Sequence, residues 1–366
     1  MTDVPRLLVL SAYDAGSHAR WRKTLMSGVE DWTWQALTLP PRYFRWRIRG
    51  NPLSWLNEAS LDEHWDLVVA TSMVDLATLR GLHPRLAGTP AVLYFHENQF
   101  AYPGSDRQHA SIDPAMVNLY AALSADRLVF NSDWNRRSFL AGVEQLLQRL
   151  PDAVPTGIID RLGEKASILP VPLETDVFRP HDAVPDFSRP HVLWNHRWEY
   201  DKGPEVLLAF VEHLKGLKQP FRLSVVGEGF RRCPAPLTRL REAHSDVIHH
   251  WGFIPEVEDY RRLLAQADLV LSTAWHDFQG LSVQEAMAAG CLPWVPDRLA
   301  YPEYVPNGFR YPAVEDAIAQ GQVAAENLVS ALAHWRAAPP AVPDISGVAA
   351  SALLPRYRSL FDSLLR

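Results

Sequence analysis

Arg197 and Lys202 lie in Trp194-Asn195-His196-Arg197-Trp198-Glu199-Tyr200-Asp201-Lys202-Gly203, immediately before a helix predicted to begin at Pro204. Two permanent cations beside a helix start suit a diphosphate and stabilise one as it departs, without a metal. The competing reading is a pair of surface cations bonded to Glu199 and Asp201. A second cluster is Trp275-His276-Asp277-Phe278-Gln279-Gly280-Leu281-Ser282-Val283-Gln284-Glu285, which runs into an Ala-rich helix. Glu285, one turn into that helix, is placed to accept hydroxyl protons from a sugar ring. Gln279, Gly280, Leu281 and Ser282 bring backbone donors at the helix start. Ser282-x-x-Glu285 also reads as a capping box that needs no ligand.

Further candidates fall where strands are predicted to end. In Asp14-Ala15-Gly16-Ser17-His18 the glycine lets a sugar or phosphate approach the backbone, and Ser17 can cap the next helix. Phe95-His96-Glu97-Asn98-Gln99 sets an imidazole, a carboxylate and two amides directly after a buried strand. A ligand rich in hydroxyls would partner them; a self-satisfied loop is the alternative. Val226-Gly227-Glu228-Gly229-Phe230 opens like a dinucleotide fingerprint, but Arg232 stands where the third glycine belongs. It fits a backbone passing close to a phosphate equally well. In Pro41-Arg42-Tyr43-Phe44-Arg45-Trp46-Arg47-Ile48-Arg49-Gly50, arginines alternate with aromatics. That pairing suits phosphates and unpaired bases, or an edge strand with a solvated basic face.

Parallel strands alternating with helices are needed to carry these loops. The predicted strands are 7–11, 34–39, 67–70, 92–95 and 128–131, then 192–195, 222–226, 247–250, 269–272 and 292–295. The predicted helices are 18–28, 74–81, 114–124 and 133–147, then 204–217, 237–244, 256–267, 282–289, 315–337 and 349–365. Between Leu150 and Pro190 the chain becomes Pro-rich and loses periodicity, which marks a boundary. The expected division is 1–168, 169–348 and a closing helix, 349–366, able to return to the first domain. A chain of 366 residues is too long for one ordinary core. Two cysteines exclude a disulfide framework or zinc cluster, and a net charge of −6 argues against non-specific coating of nucleic acid. No apolar run reaches membrane-spanning length, and the chain enters a strand almost at once. A cytoplasmic, unprocessed protein is therefore expected.

The second half resembles the family-4 retaining glycosyltransferases of the GT-B fold. The likeness rests on Arg197 and Lys202, on Val226-Gly227-Glu228-Gly229, and on Asp277 to Glu285 followed by Ala286-Met287-Ala288-Ala289-Gly290. In that family the two cations bind the nucleotide diphosphate and the last glutamate of E-x7-E binds the ribose. Here Asp277 replaces the first glutamate, and Asn195-His196-Arg197 replaces the usual glycine-arginine pair. Those departures point to a narrower group. Nearly the whole chain is similar to the tRNA-queuosine alpha-mannosyltransferases, through Gly16-Ser17-His18 with Trp21, the arginine–aromatic run, and Tyr94 to Gln99 with Tyr102-Pro103. Phe130-Asn131-Ser132 with Trp134-Asn135, and Trp194 to Lys202, complete the likeness.

The resemblance implies two Rossmann-like, doubly wound α/β domains facing across a cleft, GDP-mannose as donor, and the cyclopentenediol of queuosine in a tRNA anticodon as acceptor. Taken with the loops above, His96, Arg197 and Lys202 are expected to be catalytic. Gly16, Ser17, Asn195, Gly227, Asp277, Gln279, Gly280, Leu281, Ser282 and Glu285 are expected to bind the donor. His18, Arg42, Arg45, Trp46, Arg47, Glu97, Asn98 and Asn131 are expected to meet the acceptor. No metal, cofactor or stable membrane association is expected. The nearest rival is a same-fold glycosyltransferase with another sugar donor and a lipid or saccharide acceptor. An amphipathic basic helix in the first domain would favour it, and Arg42 to Arg49 alternates more like a strand. The other rival is a non-catalytic nucleotide-sugar or tRNA binding protein.

Overall fold

A computed structural model of the chain describes residues 4–101, 111–178, 185–229 and 233–365. Tyr102-Pro103, Phe230 and Arg232 lie outside the described residues. Residues 1–172 and 348–366 form one compact unit and 173–347 a second.

The first unit runs β1 (Arg6–Ser11), α1 (Gly16–Gly28), β2 (Thr33–Thr38), α2 (Phe44–Ser54), β3 (Leu67–Thr71), α3 (Leu76–Leu82), α4 (Pro84–Ala87), β4 (Ala91–Phe95), α5 (Asp113–Ser124), β5 (Arg127–Phe130), α6 (Asp133–Arg149), α7 (Ile158–Lys165) and β6 (Ala166–Ile168). Its strands are parallel, in the order β2-β1-β3-β4-β5-β6. The runs Leu7 to Leu10, Leu67 to Ala70 and Ala91 to Phe95 are buried throughout. That is why they read as continuous apolar stretches: helices cover both faces of the sheet. The strand order reverses between β1 and β3, and ligands of such sheets bind at the carboxyl ends beside that reversal.

The second unit runs β7 (His191–Asn195), α8 (Pro204–Gly216), β8 (Arg222–Val226), α9 (Ala235–Ala243), β9 (Ile248–Gly252), α10 (Val257–Gln266), β10 (Leu269–Leu271), α11 (Leu281–Ala288), β11 (Leu292–Pro296), β12 (Arg310–Tyr311) and α12 (Ala317–Ala337). Its order is β12-β11-β10-β7-β8-β9, again all parallel. Read from the other edge, this is the dinucleotide-binding order, with its reversal between β7 and β10.

The last helix, α13 (Ala350–Asp362), belongs to the first unit. Its Tyr357 hydroxyl accepts from the Trp21 indole at 3.1 Å and lies 3.1 and 3.0 Å from the Leu169 and Pro170 carbonyl oxygens. Leu353, Tyr357 and Phe361 are buried, each worth roughly 1.5–3 kcal/mol of apolar burial. Arg358 pairs with Asp31 through two hydrogen bonds.

Four expectations are corrected. The Arg42–Arg49 run is not a strand: Phe44–Ser54 is helical. Arginines at 45, 47 and 49 imitate a period of two, while Gly50 and Pro52 disguise the helix. Pro52 has no N–H to offer the Ile48 carbonyl, and the Asn51 side-chain amide donates there instead at 3.2 Å. Ser17 is not a cap: α1 starts after Ala15 without a side-chain capping bond. Ser282 is not one either: Gly280 precedes α11, again without a side-chain capping bond, so Ser282 and Glu285 form no capping box. The Pro-rich stretch after Leu150 still contains α7 and β6.

Candidate functional site

The switch point of the second unit carries the cationic turn. β7 delivers Asn195, and a short 3-10 turn, Tyr200–Lys202, leads into α8. Lys202 is buried. Its ammonium donates to the His276 carbonyl at 2.8 Å and to Asp277 Oδ2 at 3.3 Å, and lies 3.4 Å from Asp201 Oδ2. Arg197 is about half-exposed, 3.8 Å from Asp201 Oδ2 and 4.0 Å from Glu199 Oε2. Lys202 is therefore a fixed, enclosed charge, whereas Arg197 is reachable from solvent. The surface-pair reading fits Arg197 and fails for Lys202.

Hydrogen bonds lock this turn to the loop after β10. The backbone N–H groups of Trp275 and His276 donate to the Asp201 carbonyl, and Thr273 Oγ1 donates to the Lys202 carbonyl at 2.7 Å. The Trp194 indole N–H donates to Thr273 Oγ1 at 2.8 Å. Asp277 closes the loop, accepting from the Gly280 N–H at 2.9 Å. Burial, the largest single influence, pushes its carboxyl up, but the Lys202 ammonium, His196 and the Gly280 N–H together outweigh it, so Asp277 sits below the usual aspartate value. Gly280 holds φ 79°, and a Cβ there would run into the Tyr304 hydroxyl, so both conformation and space require glycine. At Gly227 a Cβ would strike the His196 carbonyl oxygen. The G-x-G segment is thereby packed against the cationic loop. Leu281, half-buried, is the first residue of α11. Buried Gln279 donates to Gln284 Oε1 at 2.9 Å.

Glu285 is buried and accepts from the Tyr260 hydroxyl at 3.1 Å. Asn195 Nδ2 donates to that hydroxyl at 3.0 Å and to the Ser282 carbonyl at 2.9 Å. Ser282 Oγ lies 3.4 Å from His196 Nδ1. Burial first, then the Lys202 charge, pulls His196 down to about 4. The ring is neutral at pH 7 and adds no third positive charge. Its Nε2 and Asn195 Oδ1 have no hydrogen-bond partner in the described structure. Buried polar atoms of this kind call for a ligand or water. Tyr260 and Tyr304 were missed at the level of sequence. Tyr260 occupies an ordinary position on α10, with no motif to single it out. Tyr304, whose buried hydroxyl is also unpartnered, sits in a turn far along the chain.

The first unit gathers a separate cluster at the carboxyl ends of β1 and β4. His18 Nε2 lies 3.1 Å from Glu97 Oε2. The His18 and His96 rings stack, with centroids 4.0 Å apart, and Trp21 and Tyr94 meet His96 edge-on. Burial, then His18, holds the His96 pKa well below its ordinary value. His96 is thus a neutral hydrogen-bonding group, and its Nε2 is unpartnered in the described structure. Gly16 and Ser17 open α1, and a Cβ at Gly16 would meet open space. Asn98 and Asn131 are filled from within. Asn98 donates to Asn135 and Ser138 and accepts from the Phe100 and Ala101 N–H groups. Asn131 donates to the His96 carbonyl and accepts from Asn135. These amides shape the loop, as in the self-satisfied alternative, and leave His18, His96 and Glu97 as the groups available for contact. Of the arginine run, Arg47 is buried and Arg49 pairs with buried Asp75 at 2.8 Å, while Arg42, Arg45 and Trp46 are exposed.

A family profile described as tRNA-queuosine alpha-mannosyltransferase N-terminal matches residues 6–173, and one described as Glycosyl transferases group 1 matches residues 189–334. Among solved structures, sucrose-phosphate synthase from Thermosynechococcus elongatus aligns at TM-score 0.63 and 14% identity, covering 99% of this chain and 100% of that one. A glycosyltransferase from Rickettsia africae aligns at TM-score 0.61 and 14% identity, covering 100% of each. The fold is GT-B, built from two Rossmann-like units, and the protein is a glycosyltransferase. A Drosophila melanogaster protein named tRNA-queuosine alpha-mannosyltransferase is 30% identical over 311 residues, which is 83% of this chain and 82% of that protein. The chain belongs to the tRNA-queuosine alpha-mannosyltransferase family.

Proposed function

We propose that this protein transfers mannose, with retention of configuration, from GDP-mannose to the cyclopentenediol of queuosine in a tRNA anticodon. The observation that carries the reading is the enclosed Lys202 with solvent-reachable Arg197 at the switch point of the second unit, beside the uncapped starts of α8 and α11. The diphosphate lies on the two cations, and the ribose hydroxyls bond to Glu285. When the bond from mannose C1 to the phosphate oxygen breaks, the negative charge that grows on that oxygen is stabilised by Arg197 and Lys202. The acceptor hydroxyl attacks the same face of C1, and its proton passes to the departing phosphate oxygen. His96, neutral and with an unpartnered Nε2, bonds a sugar hydroxyl. The reaction runs in the cytoplasm without a metal. Among the described residues, no group of three His, Cys, Asp or Glu side chains is placed to hold one. No helix among them is long and apolar enough to cross a membrane.

The test is mass spectrometry of nucleosides from queuosine-containing tRNA after incubation with GDP-mannose, with and without exhaustive EDTA treatment. A queuosine species heavier by one hexose in both arms is expected. Its absence from both arms removes the acceptor assignment. Strict dependence on Mg²⁺ or Mn²⁺ removes the metal-independent mechanism. GDP-mannose left unconsumed under every condition would favour a binding protein.

Donor recognition gives a further expected result. Glu285→Gln keeps the shape but offers a neutral acceptor, and bonds to charged groups are roughly twice as strong as neutral ones. GDP affinity measured by calorimetry is expected to fall by about tenfold, which is about 1.4 kcal/mol. Unchanged affinity would reduce Glu285 to a partner of Tyr260.

A further inference from the structure

We infer that the solvent face of α2 and the residues before it form a clamp for single-stranded RNA, delivering the acceptor nucleoside to the His18–His96–Glu97 cluster. This rests on the tRNA reading above and names the surface that would serve it. From Pro41 to Leu56 the chain has four arginines and no acidic residue, within a protein of net charge −6. Positive charge is concentrated where a polyanion would need it.

The helix sorts these arginines. Arg47 is buried and Arg49 is tied to Asp75, whereas Arg42 and Arg45 are exposed and make no ion pair among the described residues. Arg45, Trp46, Arg49 and Leu53 share one face by helical spacing, and Arg42 precedes the helix, next to the left-handed Tyr43. Trp46 is 52% exposed and Tyr43 68%. A Cβ at Gly50 would enter the Trp46 indole. The ring therefore lies flat on the helix over Gly50 and turns its other face to solvent, as a stacking platform for a base. Tyr43 stands beside it, with the Arg42 guanidinium 5.7 Å from its ring centroid.

The face is also wired to the cluster. Phe44 packs edge-on against Tyr13 of the β1–α1 loop, with centroids 6.2 Å apart. Asn51 donates to the Met73 carbonyl, Gln99 donates to Met73 Sδ, and Ser72 Oγ donates to the Glu97 carbonyl. α2, the β3–α3 loop and the histidine loop thus form one bonded block at the carboxyl edge of the sheet. RNA held on α2 is thereby held on the block that carries the histidine loop. The same segment could be read as a membrane-surface helix, but its exposed apolar side chains, Tyr43, Trp46, Leu53 and Leu56, are interrupted by Arg42, Arg45 and Arg49. That leaves too little contiguous apolar area to enter a bilayer.

The experiment is fluorescence anisotropy with an unmodified RNA stem-loop across a salt series, alongside phosphatidylglycerol vesicle binding and GDP calorimetry. Arg42→Ala/Arg45→Ala is expected to weaken RNA binding by about tenfold or more and to lower the salt slope by about 0.7 per lost contact. Trp46→Ala is expected to weaken it by about tenfold with the slope unchanged. Gly50→Ala favours the helix and leaves every charge in place. By tilting the indole it is expected to reproduce the Trp46 effect in part. GDP affinity is expected to be unchanged in all three; a parallel loss would count against a role confined to this face. Wild-type RNA affinity and slope in the arginine double variant overturn the clamp while the acceptor reading stands. A wild-type protein that binds no RNA at low salt overturns both. Vesicle binding that depends on Arg42 and Arg45, with RNA binding unaffected by them, overturns the clamp in favour of a lipid surface.

Discussion

Arg197→Ala is expected to fold normally and to lose transfer, with kcat down by on the order of 10²-fold or more. The side chain is about half-exposed, and its carboxylate neighbours lie 3.8 and 4.0 Å away. The pair with half-buried Glu199 contributes at most about 1 kcal/mol to stability, and buried Asp201 keeps the Lys202 ammonium at 3.4 Å when Arg197 is removed. The melting temperature is therefore expected to be nearly unchanged while the leaving-group charge loses its reachable cation. A hundredfold loss corresponds to about 2.7 kcal/mol, a magnitude typical of a deleted charge-stabilising donor. Arg197→Lys keeps the charge without the planar fork and is expected to recover part of the rate. Near-normal turnover in a folded Arg197→Ala protein would move the leaving-group role elsewhere.

Lys202 is expected to behave oppositely, losing stability as well as activity. Lys202→Met leaves Asp277 and Asp201 enclosed without their ammonium. Removing one partner of a buried pair costs about 3–5 kcal/mol. Lys202→Met/Asp277→Asn is expected to regain much of that stability but none of the activity. The sign of the pH dependence follows from Asp277. Its folded pKa is depressed, so the stability it contributes is present above the unfolded value, about 3.9. That stability is lost as pH falls through the lower folded value. The melting-temperature gap between wild type and Lys202→Met is expected to be widest near neutral pH and to shrink below about pH 4. A gap independent of pH, or a double variant no more stable than the single, would show that the Lys202–Asp277 pair is not what holds the loop.

Most of the sheet was legible because parallel strands buried on both faces leave unbroken apolar runs, such as Leu7 to Leu10 and Ala91 to Phe95. β12 escaped notice because two residues carry no periodicity. α2 was misread because Gly50, Pro52 and the alternating arginines together imitate a non-helical segment, and the Asn51 bond that repairs the helix is tertiary information. The cationic turn was legible as Arg197 and Lys202, but their division into a solvent-reachable and an enclosed charge was not, because burial of Lys202 depends on a loop 75 residues away. The Asn195–Tyr260–Glu285 chain joins three elements that are remote in sequence. No spacing rule would find it.

The placement of α13 has a consequence for the order in which the molecule is made. The sheet of the first unit is synthesised first, and the helix whose Tyr357 meets Trp21 is synthesised last, after the whole of the second unit. At ribosomal speeds of ~5–20 residues per second the interval is roughly 10–35 s. Throughout it the second unit is still being made, while Trp21, Trp32 and the Leu169–Pro170 carbonyl groups wait for a cover. A nascent chain of this protein therefore carries an unfinished first unit for as long as the second is being made, and the aromatic surface under α13 is where a chaperone would find it.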